Sequence, residues 1–279
     1  MNNYMNNYDN YQKIIVYNFD IGYGGIGDLI KFFMQILNLC IKYEIKLFYQ
    51  INNIFIEKYL KLKYEKMYIS KDNIINPKII HYNDIQNINN NVYNIVTPFT
   101  LYDYNHLSYY TCNHDYNNIL CHINEVFYFS DDIKNNIINI ISINFNDYIS
   151  VHLRLGDKYL ETDTQYIQCK YDSRYYNEEK LNNFIENNND KNIIFFCDNN
   201  NYKLKIKNTY NYINITNSNI GHISLVNTTD KQVLDGITEF YLMTKSKQIF
   251  YASSSGFSLI AARFDNIPFL KIDNMYYIK

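Results

Sequence analysis

The stretch KIIVYNFDIGYGGIGDLIKFFMQILNLCIKYEIKLFYQI, residues 13–51, decides the fold class. It contains an apolar, β-branched strand at 13–19, a glycine-rich turn at 21–28, a strongly apolar helix at 29–43 and a second strand at 45–51. A strand, a helix and a strand in this order form a βαβ unit, which implies a parallel sheet. We therefore expect an α/β protein.

The second half of the chain alternates strands and helices almost throughout. The predicted strands are 147–155, 192–198, 210–216, 247–253 and 268–272. The predicted helices are 130–143, with Ser130 as the N-cap candidate, 175–188, 231–246 and 256–264. Residues 52–125 show a weaker pattern, with strands at 78–82 and 92–96. We interpret the chain as two α/β domains that face a cleft, 1–140 with a disordered tail at 1–12, and 141–279.

Composition excludes several functional classes. The 279 residues carry a net charge of −2 and no long basic run, which argues against a nucleic-acid surface. Five cysteines without a C-x-x-C motif and six histidines without ligand spacing argue against disulfides and a metal site. No apolar run reaches the ~20 residues of a membrane span, and the start of the chain lacks the apolar core of a signal peptide. We therefore expect a cytoplasmic protein whose sequons at Asn214 and Asn227 stay unmodified.

The glycine turn allows three interpretations. Residues 22–27 match G-x-G-x-x-G between a strand and a helix, where free N–H groups attract anions. A dinucleotide site also needs an acid at the end of the second strand, but Gln50 and Asn52 stand there and Glu57 follows too late. A tight turn without a ligand is the second interpretation. The third depends on Asp28, which would repel a diphosphate but would suit a hydroxyl that must lose a proton.

The segment VHLRLGDK, residues 151–158, ends a predicted strand of the second half. Alternation puts His152 and Arg154 on one face, where two cations are costly unless they are paired. Arg154 offers a planar fork for phosphate oxygens at the strand end where α/β sheets bind ligands. Asp157 would orient Arg154 or Lys158. A purely structural ion pair between Arg154 and Asp157 explains the pattern equally well.

Three other positions carry polar groups to the same predicted sheet edge or near it. The turn YASSSGFS, residues 251–258, precedes a helix and would be either an anion cradle or an ordinary serine N-cap. Asp198 ends a strand, so its carboxylate should reach that edge. Asp235 and Glu239 are four residues apart on one helix face, where most such pairs are solvated.

Five motifs together resemble a known family. In chain order they are GGIGD (24–28), HLRLGDK (152–158), FFCD (195–198), EFYLM (239–243) and SSSGFS (253–258). Their order and spacing resemble the fucosyltransferase superfamily, which includes α1,2-, α1,6- and protein O-fucosyltransferases. The resemblance implies a GT-B-like fold of two Rossmann-like domains and an inverting transfer that requires no metal and no cofactor. The substrates would be GDP-fucose and a hydroxyl of a glycan or protein.

The resemblance also implies roles for residues. Arg154 would bind the β-phosphate, Ser254 and Ser255 would lie near the diphosphate, and Asp198 would fall in the nucleotide-contacting segment. The expected donor-binding residues are His152, Arg154, Gly156, Asp157, Lys158, Asp198, Glu239, Ser253, Ser254, Ser255, Gly256 and Phe257. The expected acceptor-side turn consists of Gly24, Gly25, Gly27 and Asp28. The Tyr-rich tract 102–128 would line an acceptor groove.

The general base and the exact enzyme class stay open at this stage. Asp28 is the first candidate base, although the family usually has Asn there; Glu161 is the second and Asp157 the third. The turn GIGDLI is also similar to that of heptosyltransferases, which use an ADP-sugar. An NAD-dependent dehydrogenase and a non-catalytic sugar-nucleotide binder are the remaining alternatives.

Overall fold

The computed structural model describes residues 1–101, 120–141, 147–161, 172–223 and 225–272. The chain divides into two compact units, Met1–Tyr128 and Phe129–Lys279, which we call unit 1 and unit 2. Each unit contains a five-stranded parallel sheet with helices, as the predicted α/β class requires. Among the described residues, no helix combines the length and the apolar character needed to cross a bilayer.

Unit 1 is built around the βαβ stretch from which the fold class was predicted. Its elements are α1 (Asn2–Asn7), β1 (Lys13–Tyr17), α2 (Ile26–Tyr43), β2 (Ile45–Ile51), α3 (Ile56–Tyr59), β3 (Leu60–Leu62), β4 (Tyr68–Ser70), β5 (Lys78–Ile79), β6 (Tyr93–Val96), α4 (Pro98–Leu101), α5 (Ile123–Val126) and β7 (Phe127–Phe129), which crosses the unit boundary. The sheet order is β4-β2-β1-β6-β5, and all its pairs are parallel. Strands β3 and β7 form a separate pair.

Helix α2 supplies much of the core of unit 1. Ile30, Phe33, Leu37 and Cys40 recur at helical spacing and are fully buried. The helix ends at Glu44, whose φ of 56° is left-handed and stops the helical hydrogen bonding.

The predicted disordered tail at 1–12 is wrong for the residues that form α1. The Tyr4 hydroxyl donates to the Ile45 carbonyl at 2.6 Å, and the Tyr8 hydroxyl donates to the Leu47 carbonyl at 2.5 Å. Both rings are buried. Tyrosine combines an apolar ring with a polar tip, so the low-complexity composition that indicated disorder instead docks the tail on β2.

Unit 2 alternates helices and strands from its start. Its elements are α6 (Asp131–Ile140), β8 (Ile149–Leu153), α7 (Glu178–Glu186), β9 (Ile193–Cys197), α8 (Asn200–Thr209), β10 (Asn214–Ile215), α9 (Asp230–Lys245), β11 (Ile249–Tyr251), α10 (Gly256–Phe264) and β12 (Phe269–Lys271). The sheet order is β10-β9-β8-β11-β12, again all parallel. The chain winds outward from β8 in one direction and then from β11 in the other. Strands β8 and β11 therefore flank the topological switch point, where such sheets bind ligands.

The division between the units lies before α6, whereas the sequence placed the domain boundary after it. The side-chain amide of Asn136, on α6, donates to Asp235 Oδ1 at 2.8 Å and to Thr238 Oγ1 at 3.1 Å, both on α9. All three side chains are buried. These long-range contacts tie α6 to unit 2 and leave no sequence signature, because the amphipathic pattern of α6 does not say which sheet it covers.

Candidate active site

The switch point of unit 2 joins two of the predicted motifs. Arg154 follows β8 and Ser253 lies two residues after β11, so both lie at the carboxyl edge of the sheet. The Arg154 N–H donates to Ser253 Oγ at 2.8 Å, and the Ser253 hydroxyl donates to the Arg154 carbonyl at 2.6 Å. The sequence placed both motifs at strand ends, and the parallel sheet brings them into contact.

The guanidinium of Arg154 lies between two carboxylates. Nη2 pairs with Asp157 Oδ1, and Nη1 is 2.9 Å from Asp198 Oδ2. Asp198 is itself anchored, because it accepts the backbone N–H groups of Leu155 at 2.7 Å and Gly156 at 3.0 Å. The side chain of Arg154 is 18% exposed. The structural ion pair anticipated from the sequence is present, and Asp198 joins it.

This cluster has more negative than positive charge. One guanidinium faces two carboxylates, and the next cationic candidate, His222 Nε2, is 4.0 Å from Asp157 Oδ1. The two ion pairs engage two of the five N–H groups that a guanidinium offers. An anionic ligand would therefore meet the repulsion of both carboxylates. In the part of the chain that the structure describes, the Asp157 carboxylate lacks the backbone N–H donors that anchor Asp198.

The turn after Arg154 depends on a glycine. Gly156 has a φ of 107°, and a Cβ at this position would lie 2.5 Å from the Asp172 carbonyl oxygen. The same carbonyl accepts the Lys158 N–H at 3.1 Å, while the Lys158 side chain is exposed. Only glycine satisfies both the backbone conformation and the close approach.

His152 does not supply the second cation that its place beside Arg154 indicated. Its Nδ1 lies 2.9 Å from Ser258 Oγ, and its ring is buried. Burial, together with the smaller effects of the Arg154 and Lys203 charges, lowers the pKa of His152 to about 3. The imidazole is thus neutral at ordinary pH. The ring belongs to β8 and contacts Ser258 in the first turn of α10.

The serine turn contains the N-cap that was one of the two interpretations made for it. Ser255 is the N-cap of α10, and its Oγ accepts the Phe257 N–H at 3.3 Å. Ser253 is buried against Arg154, whereas Ser254 and Gly256 are exposed. The N-cap prediction is confirmed. The exposed Ser254 hydroxyl lies beside this helix start, where anions bind favourably.

The glycine turn of unit 1 lies at the switch point of its own sheet, between β1 and β6. Gly22 and Gly24 have φ values of 89° and 128°, and Gly25 is the N-cap of α2. Asp28 Oδ2 accepts the Gly25 N–H at 3.3 Å. The carboxylate is 43% exposed, and Lys31 Nζ lies 3.5 Å from its other oxygen. Gly27 is buried within the first turn of α2. This turn presents an acid rather than a phosphate cradle.

Glu57 reaches the end of β2 after all, although its distance along the sequence argued against this. Its Oε1 accepts the Asn52 N–H and the Tyr49 hydroxyl, each at 3.0 Å. Burial raises the pKa of Glu57 above its ordinary value, and these hydrogen bonds oppose the rise. The acid that a dinucleotide site requires is therefore present in position but is used to close the turn after β2.

Comparison with known proteins gives a structural answer only. No protein-family model matches the sequence, and no curated protein matches it. The apo form of POFUT1 matches with 10% identity and a TM-score of 0.53, over 94% of this chain and 98% of that one. A mutant of Arabidopsis thaliana FUT1 in complex with GDP matches with 10% identity and a TM-score of 0.55, over 92% and 70%. POFUT1 in complex with GDP matches with 9% identity and a TM-score of 0.50, over 93% and 98%.

The chain has a fucosyltransferase-like fold. The predicted resemblance and the predicted α/β GT-B-like class are thereby confirmed, since both neighbours are fucosyltransferases. At such low identity the likeness establishes the fold and not the roles of individual residues.

Within the fucosyltransferase-like fold, Glu239 belongs to a buried polar cluster. Its Oε1 accepts the Lys203 ammonium at 2.7 Å and the Ser218 hydroxyl at 2.5 Å, and also the Thr216 hydroxyl. Lys203 is almost fully buried. Sequence reasoning missed Lys203, because a lysine in the polar run NNYKLKIKNT gives no sign of burial. Its spacing from Ile206 on one face of α8 was the available signal.

Asp235 is also buried rather than solvated. It accepts the Asn219 N–H at 2.9 Å and the Asn136 amide at 2.8 Å, and pairs with Lys231. Asp235 and Glu239 therefore make separate sets of buried hydrogen bonds in unit 2. Neither is solvated, as most acid pairs at this helical spacing are.

Glu161, the second candidate base, caps a helix. Its Oε1 accepts the N–H groups of Asn200 at 2.9 Å and Asn201 at 3.2 Å, at the start of α8. Carboxylates at helix N-termini are stabilising. This explains Glu161 without a catalytic role.

No group of three or more His, Cys, Asp or Glu residues in the described part of the chain is arranged to hold a metal ion. Cys40, Cys121 and Cys197 are buried free thiols. Cys112, Cys169, His106, His114 and most of the Tyr-rich tract 102–128 lie outside the described residues.

Proposed function

We propose that the chain is an inverting fucosyltransferase that transfers fucose from GDP-fucose to a hydroxyl of a glycan or protein without a metal ion. The observation that carries the proposal is the contact between Arg154 and the serine turn at the switch point of unit 2. It coincides with a fold shared with fucosyltransferases, two of whose structures hold GDP. The five motifs of the sequence support the same family.

The donor's diphosphate would meet Arg154. As the bond between the anomeric carbon and the β-phosphate oxygen breaks, negative charge grows on the leaving GDP. A fixed guanidinium stabilises this charge more in the transition state than in the ground state. Asp198 holds the fork in place through its own two backbone hydrogen bonds. In this proposal Arg154 does the work that a metal ion performs in other transferases.

Asp157 would give way when the donor binds. It pairs with Arg154, and among the described residues no backbone N–H anchors its carboxylate as Leu155 and Gly156 anchor Asp198. The diphosphate would then replace one carboxylate on the guanidinium. The exposed Ser254 hydroxyl beside the start of α10 would supply a further donor to the phosphate oxygens.

The acceptor hydroxyl would attack the anomeric carbon from the face opposite the leaving GDP, which inverts the configuration. The new bond joins the acceptor oxygen to that carbon, and the hydroxyl proton passes to Asp28. Asp28 is partly exposed in the glycine turn, which suits a base that must meet an acceptor from solvent. The acceptor and the cytoplasmic location stay predictions.

Mass spectrometry after incubation with GDP-fucose, other GDP-sugars, UDP-sugars and ADP-sugars tests the proposal. We expect release of GDP from GDP-fucose, accelerated by a suitable acceptor and unaffected by EDTA. Release of ADP instead would favour a heptosyltransferase-like enzyme. Binding of GDP without turnover would indicate a non-catalytic sugar-nucleotide binder. Thermal stabilisation by NADH but not by GDP would overturn the proposal in favour of a dehydrogenase.

A further inference from the structure

The second turn of α2 contains a buried cation. Lys31 is 4% exposed, among helix residues that are mostly apolar. Lysine side chains normally extend their ammonium to solvent, and burial of the charge is costly. The Lys31 Nζ lies 3.5 Å from Asp28 Oδ1 and 3.9 Å from the centre of the Phe32 ring. The ammonium is therefore held under the glycine turn, one helical turn below the candidate base.

Asp28 is fixed from two sides. Its Oδ2 accepts the Gly25 N–H at 3.3 Å, while its Oδ1 faces Lys31. The backbone of Gly24 closes a third side, since a Cβ there would lie 2.6 Å from Oδ2. The carboxylate nevertheless keeps 43% exposure. It is thus an oriented acid with an open approach.

Stability alone does not account for this pair. An i,i+3 ion pair on a helix surface is worth only a few tenths of a kcal/mol, and it does not require burial of either partner. An apolar side chain at position 31 would complete the apolar face of α2 at lower cost. A buried cation retained beside an exposed acid, in a turn at the carboxyl edge of the sheet, points to a role in function.

We propose that Lys31 is a positioning residue that holds the Asp28 carboxylate in the orientation needed to take the acceptor's proton; the inference rests on the proposed function. The ammonium acts by electrostatic attraction and does not touch the substrate. Tyr17, from β1, is a second titratable group that interacts electrostatically with Asp28. Burial raises the pKa of Tyr17 well above its ordinary value, so this group stays neutral.

The protonation of Lys31 gives the inference a pH signature. Burial lowers the pKa of Lys31 to about 8, and the attraction and hydrogen bond of Asp28 oppose that effect. The Lys31 side chain is therefore charged below about pH 8 and neutral above it. Transfer by the wild-type protein should fall as pH rises through this value.

The test measures kcat and KM against pH for wild type, Lys31→Met and Lys31→Arg, together with NMR titration of 13C-labelled lysine. We expect Lys31→Met to lower kcat about 10–100-fold with an unchanged KM for the nucleotide sugar. Lys31→Arg should restore kcat and should lack the decline near pH 8, because a guanidinium does not deprotonate there. If Lys31 had only a structural role, the Lys31→Arg substitution would not change the decline of kcat near pH 8.

The NMR arm does not need turnover. Since Asp28 raises the pKa of Lys31, Asp28→Asn should make Lys31 titrate at lower pH than in wild type. An unchanged Lys31 titration in Asp28→Asn, or a Lys31→Arg protein that keeps the limb near pH 8, overturns the inference even if the enzyme is active. A wild-type protein that transfers no sugar overturns the proposed function, and the role of Lys31 falls with it.

Discussion

The two sheets present opposite charge arrangements at equivalent topological positions. In unit 2, the switch point carries one cation, Arg154, held by the carboxylates of Asp157 and Asp198. In unit 1, it carries one acid, Asp28, held by the buried cation Lys31. Under the proposed function, the same parallel architecture would supply a charge for a leaving anion in unit 2 and a proton acceptor in unit 1. Two copies of one fold type need not repeat one chemistry.

The largest expected effect comes from removal of the unit 2 cation. Arg154→Ala should lower kcat about 10²–10³-fold, because one preformed donor to the developing charge is lost. GDP release from GDP-fucose measures the loss, and circular dichroism checks that the fold persists. Lys205→Ala, which removes an exposed cation of the same unit, is the matched control. Equal activity of the two variants would remove Arg154 from the mechanism.

The glycines of the two turns should differ in how well they tolerate substitution by alanine. Gly156→Ala should destabilise the protein by about 3 kcal/mol or more, because its φ of 107° is strained for alanine and its Cβ would meet the Asp172 carbonyl. Gly25→Ala has open space around its Cβ and should cost less than about 1 kcal/mol. Urea denaturation measures both. Similar costs would contradict the distinction.

His152 should make unit 2 sensitive to acid. Its pKa is about 3 in the folded protein, and ~6.5 is ordinary for an unfolded chain. Between these values only the unfolded state binds the proton, so stability falls as pH decreases. The loss between pH 6.5 and pH 5 should be about 2 kcal/mol. His152→Gln should flatten this dependence in urea denaturation, whereas the exposed His81→Gln should not.

Lys31 should make the stability of unit 1 depend on pH in the basic range. Its pKa is about 8 when folded and ~10.4 when unfolded, so between those values only the unfolded state is protonated and stability rises with pH. Below pH 8 both states are charged and the burial cost is present in full. Lys31→Met should therefore stabilise the protein at pH 7 by about 1 kcal/mol or more. Its denaturation midpoint should then stay level between pH 8 and pH 10, where that of wild type rises.

The smallest effect is expected for Glu161. Glu161→Gln removes a charge from the start of α8 and should cost about 0.3–1 kcal/mol. The pH dependence of transfer should not change, whereas Asp28→Asn should abolish its acidic limb. A lost limb in Glu161→Gln would reassign the base to unit 2.

The sequence predicted the elements better than their partners. Apolar runs and strand-helix alternation identified the strands of both sheets except β4, since periodicity reports local burial. Helix α8 was missed because its polar run NNYKLKIKNT lacks a strong apolar face. The positions of Arg154 and Ser253 at the sheet edge could be predicted, because both residues follow the ends of predicted strands. The neutral state of His152 and the burial of Lys31 did not, because both depend on atoms brought together only by folding.

The tyrosines at the start of the chain have a consequence for self-association. Strand β4 pairs with residues 49–51 of β2, so no strand of the described ranges neighbours the earlier part of β2 on that side. The hydroxyls of Tyr4 and Tyr8 occupy the carbonyls of Ile45 and Leu47 there, and the Leu47 N–H donates to the Tyr4 oxygen at 3.0 Å. A protein shortened by its first dozen residues would expose these groups as a template for intermolecular β-pairing, so it should aggregate before it unfolds.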